Sequence, residues 1–231
     1  MIVLGFDTAT PSTAVALTGA GEEAIERRDD PAPGERPRHT SHLLALVEEV
    51  LSESGVGWTQ VDRLAVGVGP GGFTGLRIGI ATARGLAQAR GLPLAGVSSL
   101  QALGRGVPAP LVVAAIDARR GEAFAAAWNE GREVLGPSAL SPEALAGHCR
   151  RLGAEGAQTP LVAGDGAIRF RAWLEAAGAT VPADDSSLHR LSAAHICRLA
   201  AEAPEPSATS VLPDYCRAPD AERTPHRPVA P

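Results

Sequence analysis

Two stretches decide the fold when laid one above the other: VLGFDTATPSTAVAL, residues 3–17, and VAAIDARRGEAFAAAW, residues 113–128. Each is a short apolar run that ends in an aspartate, then a turn of small and polar residues, then a second apolar run. Apolar runs of this length, bounded by turn residues, read as strands. The two strand–Asp–turn–strand units begin 110 residues apart. A repeat at that spacing predicts an α/β protein of two similar lobes, each a mixed sheet flanked by helices. The boundaries that follow are 1–107 for a first lobe and 108–203 for a second, after the Pro-rich joint Val107–Pro110. Residues 204–231 hold 7 prolines in 28 positions and read as a draped or disordered tail.

Working outward from the first unit, Glu22–Arg28 reads as an edge strand and Asp29–Arg38 as a loop. Thr40 or Ser41 can cap a helix whose apolar positions, Leu43, Leu44, Leu46, Val47, Val50 and Leu51, form one face of a 3.6-residue period. Leu64–Val68 reads as a buried strand, and Arg77–Arg90 as a second helix stopped by Gly91 and Pro93. In the second lobe, helices are expected near Pro142–Arg151, Ile168–Ala177 and Ser192–Ala203, and a strand at Leu161–Ala163.

Composition narrows the chemistry. A net charge of −5 gives the whole chain no electrostatic footprint for nucleic acid or membrane. Cys149, Cys197 and Cys216 are widely spaced and contain no CxxC pair, which points to a reducing compartment rather than a structural zinc. The start, MIVLGFDTAT, lacks a basic signal-peptide region, and no apolar run approaches a membrane span. A soluble, cytoplasmic protein is expected. All 21 basic residues are arginine, so lysine Schiff-base, lysine-base and P-loop lysine chemistry are excluded.

Between the units stands GVGPGGFTGLRIGIATAR, Gly67–Arg84, which spells G-x-G-x-x-G at Gly67, Gly69 and Gly72. A dinucleotide site would need an acidic residue about twenty positions on, yet 63–116 contains no Asp or Glu. A P-loop would need lysine where Phe73 stands. The loop Gly69, Pro70, Gly71, Gly72, Phe73, Thr74, Gly75 is therefore read as packing glycine, with anion binding at the helix start left open. Gly75, Gly79, Ala83 and Ala87 recur every four residues, a small ridge that lets another helix approach, with the Leu43–Leu51 stripe as an available partner.

DTAT at Asp7–Thr10, HTSHLL from His39, GPGGFTGLRIG at Gly69–Gly79, GVSSLQAL at Gly96–Leu103, AIDARRGE at Ala115–Glu122 and the late DYCRAPDAE together resemble the TsaB (YeaZ-like) family. The resemblance runs from residue 7 to about residue 222. It implies the actin-like, Hsp70-like ATPase fold in two lobes, related to ribonuclease H. It also implies a role in making threonylcarbamoyladenosine, the modified adenosine beside the tRNA anticodon. In that family the chain is not the transferase. It pairs through its first-lobe helices with a catalytic paralogue, TsaD, and the ATPase TsaE joins the assembly. A homodimer is the alternative pairing, tRNA is met through the complex, and any ATP or ADP belongs to the complex rather than to this chain alone. Carried onto this sequence, the pairing face takes in His42, Leu43, Leu46, Val47, Val50, Arg77, Gly79, Ala83, Leu86 and Ala87, and Ala83→Arg or Leu46→Asp is expected to abolish pairing with the fold intact.

Three constellations test whether the chain is catalytically silent. Asp7, Thr8 and Ser12 on one turn, with Asp117 and Arg119 on the other, are the candidate nucleotide cleft; the turn-forming reading, in which each aspartate bonds backbone amides, carries more weight. In the catalytic paralogue a histidine pair ligates a metal, but His39 and His42 are three apart without a third ligand, a poor metal site. Gly164 opens GDG after a strand, which serves a tight turn or approaches a nucleotide. Five arginines and no acids across 63–116 are read as ion-pair partners before a tRNA patch. No catalytic residue is assigned. The expected protein is a non-catalytic scaffold, and the alternative is an ATP-binding or ATP-hydrolysing enzyme using the Asp7 and Asp117 turns.

Overall fold

The structure is a computed structural model and describes residues 1–32, 34–203 and 211–216. The first sheet has the strand order β3-β2-β1-β4-β5, built from β1 (Val3–Asp7), β2 (Thr13–Thr18), β3 (Ile25–Asp29), β4 (Arg63–Gly69) and β5 (Leu94–Ser98). The second has the order β8-β7-β6-β9, built from β6 (Leu111–Asp117), β7 (Ala123–Asn129), β8 (Arg132–Leu140) and β9 (Leu161–Ala163). In both, the first strand of the lobe is central, antiparallel to the next strand on one side and parallel to a later strand on the other. The repeat read from the two aspartate units is thus a repeat of topology.

Strand alternation sends opposite faces to different helices. In β1, Leu4 and Phe6 join a core with helix α1 (His39–Ser54) and helix α2 (Phe73–Arg90). Val3 faces the other way, into a cluster with Ile196 and Cys197. In β6, Leu111, Val113 and Ala115 meet α4 (Pro142–Gly156), α5 (Asp165–Arg169) and α6 (Arg171–Ala176). Ala114 and Ile116 meet Leu100 and Leu103 of α3 (Ser99–Arg105), the helix that packs between the lobes.

The last helix corrects the lobe boundaries. α7 (Ala193–Glu202), expected with the second lobe, lies on the first sheet against β1, β2, β4 and β5. Gly5 makes the room: a Cβ there would stand 2.7 Å from Cys197 Sγ. Periodicity gave α7 an apolar face, and nothing local names the sheet that receives it.

Helix starts differ from expectation as well. α1 begins at His39, where the Arg38 carbonyl in the N-cap position accepts from the Ser41 and His42 amides, and it has no capping side chain. α2 begins one turn before Arg77, so Phe73, Thr74 and Gly75 of the expected loop are helical. The helix expected over Ile168–Ala177 is two short ones that meet at Phe170. β8 carries a weak strand pattern because it is an edge strand interrupted by Gly136 and Pro137.

Of the expected tail, 211–216 are described, and they lie across the first lobe. Val211 is buried, the Asp214 amide donates to the Val68 carbonyl at 2.8 Å, and Tyr215 stacks on Phe73. The rest of that segment, including most of DYCRAPDAE, falls outside the described residues.

Candidate functional site: the cleft between the aspartate turns

The two turns face one cleft of about 920 Å³, lined by Thr8–Pro11 from the first lobe and Ile116–Arg120 from the second. The starts of α1 and α2, Asp165, and residues 214–216 complete its wall.

Asp7 ends β1 fully buried, with both oxygens engaged. Oδ1 accepts from the Ala9 amide at 2.7 Å and Oδ2 from Ser99 Oγ at 2.6 Å. Ser99 Oγ in turn accepts from the Gly69 amide at 3.2 Å, tying the aspartate to the glycine loop. Gly67 leaves the space the carboxylate fills; any Cβ there would overlap Oδ2. Burial pushes the Asp7 carboxyl above its usual range, and the bonds from Ser99 and Ala9 only partly oppose this.

The second turn repeats the motif with more charge. Asp117 Oδ1 accepts from the Arg119 amide at 2.8 Å, and Arg169 grips both carboxylate oxygens at 2.7 and 2.9 Å. The Asp117 amide donates to Asp165 Oδ1 at 2.8 Å, and burial raises the Asp165 carboxyl. Arg119 and Arg120 hold left-handed backbone, φ 61° and 52°. A non-glycine residue in that region costs about 1–3 kcal/mol, so the turn is strained by its arginines. Gly164, at φ 114°, packs against the Ala115 carbonyl and serves the turn geometry of the second lobe.

The glycine loop packs on the first turn. The Gly72 amide donates to the Ala9 carbonyl at 2.7 Å and Thr8 Oγ1 to the Gly75 carbonyl at 2.8 Å. A Cβ on Gly75 would run into the Thr8 carbonyl oxygen, and one on Gly79 into Thr8 Oγ1. The partner that these glycines admit is the Asp7–Thr10 turn, not another helix. Ser12 flanks the same turn, partly buried.

The expected pairing face is turned inward. Leu43, Leu46, Val47 and Val50 of α1, with Ala83 and Ala87 of α2, are buried in the first lobe's own core, Leu86 packs at its edge, and Gly79 is covered by Thr8. A stripe at period 3.6 marks a buried face without saying what buries it. Exposed on the outer sides are Leu44, Ala45 and Glu48 of α1, and Arg77, Ala81, Gly85 and Ala89 of α2. Arg77 lies 3.9 Å over the Phe73 ring.

The two histidines diverge. His39 is buried, with Nδ1 2.8 Å from Thr13 Oγ1, and burial lowers its pKa. His42 Nδ1 lies 3.2 Å from Asp29, which also binds Arg38. Among the described residues no group of three or more His, Cys, Asp or Glu is placed to hold a metal ion, and no helix is long and apolar enough to cross a membrane. The sequence gives Ser99 no signal beyond its place in GVSSLQAL.

Two lobes of one topology around a cleft at paired strand–Asp turns define an actin-like protein. ROK hexokinase from Thermus thermophilus shares that fold at TM-score 0.53 and 12% identity, over 87% of this chain and 99% of that one. Residues 34–173 match the family described as TsaD: tRNA N6-adenosine threonylcarbamoyltransferase. A Pseudomonas aeruginosa crystal structure, described as similar to peptidase YEAZ, superposes at TM-score 0.74 with 32% identity, over 94% of this chain and 99% of that chain. The tRNA threonylcarbamoyladenosine biosynthesis protein TsaB of Escherichia coli (strain K12) is 42% identical over 134 residues, 56% of this chain. The match takes in 54% of that protein, so the chain spans about half the length of this curated relative. The chain belongs to the TsaB/YeaZ family.

Proposed function

We propose that the chain is a non-catalytic pairing subunit for threonylcarbamoyl transfer to the adenosine beside the tRNA anticodon. A TsaD-like paralogue would carry the chemistry, a TsaE-like ATPase would join, and tRNA would be met through the complex. The observation that carries this reading is the state of the paired aspartates. Asp7 has both oxygens committed to Ala9 and Ser99, and Asp117 has both committed to Arg169. An actin-like ATPase needs carboxylates available to a metal and water beside its nucleotide. Here the two aspartates do the work of turn construction. The names of the relatives support the tRNA pathway.

The pairing surface in this proposal is the outer side of α1 and α2. Leu44 is 53% exposed, and Ala81, Gly85 and Ala89 form an outward ridge of small side chains four apart. A Cβ on Gly85 would meet nothing within 4 Å among the described residues. Glycine in a helix interior costs about 1 kcal/mol relative to alanine, so a glycine with no neighbour among the described residues supports close approach from outside. The paralogue is the favoured occupant and a second copy the alternative.

The test is threonylcarbamoyl incorporation into tRNA, with activated donor, TsaD-like and TsaE-like proteins, with and without this chain. Incorporation that requires the chain, from a chain that modifies nothing alone, is expected. Metal-dependent ATP turnover by the chain alone, lost in Asp7→Asn, would overturn the non-catalytic reading.

A further inference from the structure

The first turns of two long helices meet in the cleft, that of α1 beside the Asp29 carboxylate. α1 and α2 both lack a capping side chain and an acidic residue in the first turn. The amides of Phe73 and Thr74 have no acceptor among the described residues, and both residues line the cleft. Such amides and the helix dipole favour an anion, though a helix start alone is not a site.

His39 supplies the independent observation. It is 5% exposed, lines the cleft, and its Nε2 has no hydrogen-bond partner among the described residues. Nε2 lies 3.1 Å from the position a Gly75 Cβ would take, so the ring is directed at the first turn of α2. The chemistry of its other nitrogen sets the ring's role. Thr13 Oγ1 is fully buried and has no other acceptor among the described residues, so its proton is donated to Nδ1. The ring proton then sits on Nε2, making it a donor aimed into the cleft. Arg36, exposed at the same wall and in no ion pair among the described residues, adds a positive charge. Of the carboxylates that line the cleft, Asp117 is held by Arg169, Asp165 accepts from the Asp117 amide, and Asp214 accepts from Cys216 Sγ at 3.7 Å.

We infer that this corner of the cleft binds the oxyanion of a small molecule, with His39 Nε2–H and the first-turn amides of α2 as donors. The cleft is larger than a bare ion requires and carries Ile78, Ile116 and Phe124 on its walls, so the ligand class is a phosphate- or carboxylate-bearing compound with an apolar body. This site is separate from the outer face of α1 and α2 and does not rest on the pairing proposal.

The test is an amide-resolved NMR titration of the full chain with sodium phosphate, and separately with sodium acetate, each against sodium chloride of equal ionic strength. Saturable shifts at His39, Phe73, Thr74 and Gly75 are expected in at least one arm, and the tighter arm names the anion. His39→Leu removes a donor to a charged group and should weaken binding about tenfold, whereas His39→Gln, which keeps an N–H donor, should stay within about threefold. Arg36→Ser, at the surface, should weaken binding by about threefold and serves if His39→Leu does not fold. Shifts no larger than those with chloride, or equal affinity in the variants that remove His39 or Arg36, would overturn the site.

Discussion

The same substitution at two glycines of α2, ten residues apart, should act with opposite sign. At Gly75 an added Cβ would stand 2.1 Å from the Thr8 carbonyl oxygen, a backbone atom that no rotamer change moves aside. Ordinary carbon–oxygen contact needs at least about 3.2 Å, so the Asp7–Thr10 turn or the helix start must shift by about 1 Å. Overpacking of that kind costs about 1–3 kcal/mol. The shift also strains the Thr8–Gly75 and Ala9–Gly72 hydrogen bonds. At Gly85 the added Cβ meets nothing within 4 Å among the described residues, and only the helix propensity changes, a gain of about 1 kcal/mol. For a chain of this size a change of 1 kcal/mol moves Tm by about 2–4 °C. Gly75→Ala should therefore lower Tm by several degrees and Gly85→Ala raise it by a few, read by circular dichroism of the purified chain. The functional half of the comparison is pull-down with the TsaD-like paralogue. Gly85→Ala should be the more stable protein and the weaker partner, a combination that core damage cannot produce. A neutral Gly75→Ala would refute the packing account of the glycine loop, and a Gly85→Ala that destabilises the isolated chain would refute the outward-facing one.

The core assignments predict that Leu46→Asp and Ala83→Arg unfold the chain. Leu46 is 7% and Ala83 0% exposed, and burying an unpaired charge there costs several kcal/mol, so a cooperative unfolding transition retained near the wild-type Tm would refute them. Asp7 gives a pH test. Its folded pKa lies above its unfolded one, so between the two values the folded state binds more protons, and stability falls as pH rises through that window. Wild-type Tm should thus gain on Asp7→Asn as pH is lowered from neutral toward about 4.5, just above the usual aspartate pKa of about 4. A gap that moves the other way would show the carboxylate to be favoured in the fold.

Local chemistry determined much of this protein. Strand periodicity and the aspartate-ended turns were legible at Val3–Leu17 and Val113–Trp128, and they specified two lobes because a period of two and a turn residue act over a few positions. The failed nucleotide motifs were legible too, since a missing lysine or acid is a fact of the chain itself. Tertiary structure alone decided what each apolar or small face touches. The Leu43–Leu51 stripe and the Gly75–Gly79 ridge have the same spacing whether they meet a sheet, a turn or a partner, and only Thr8, 67 residues from Gly75, settles the ridge. Ser99 meets Asp7 across 92 residues, and α7 crosses to the first sheet, because long-range placement follows from which surfaces fit, not from any residue's neighbours in sequence. Sequence wrote the faces; packing chose their partners.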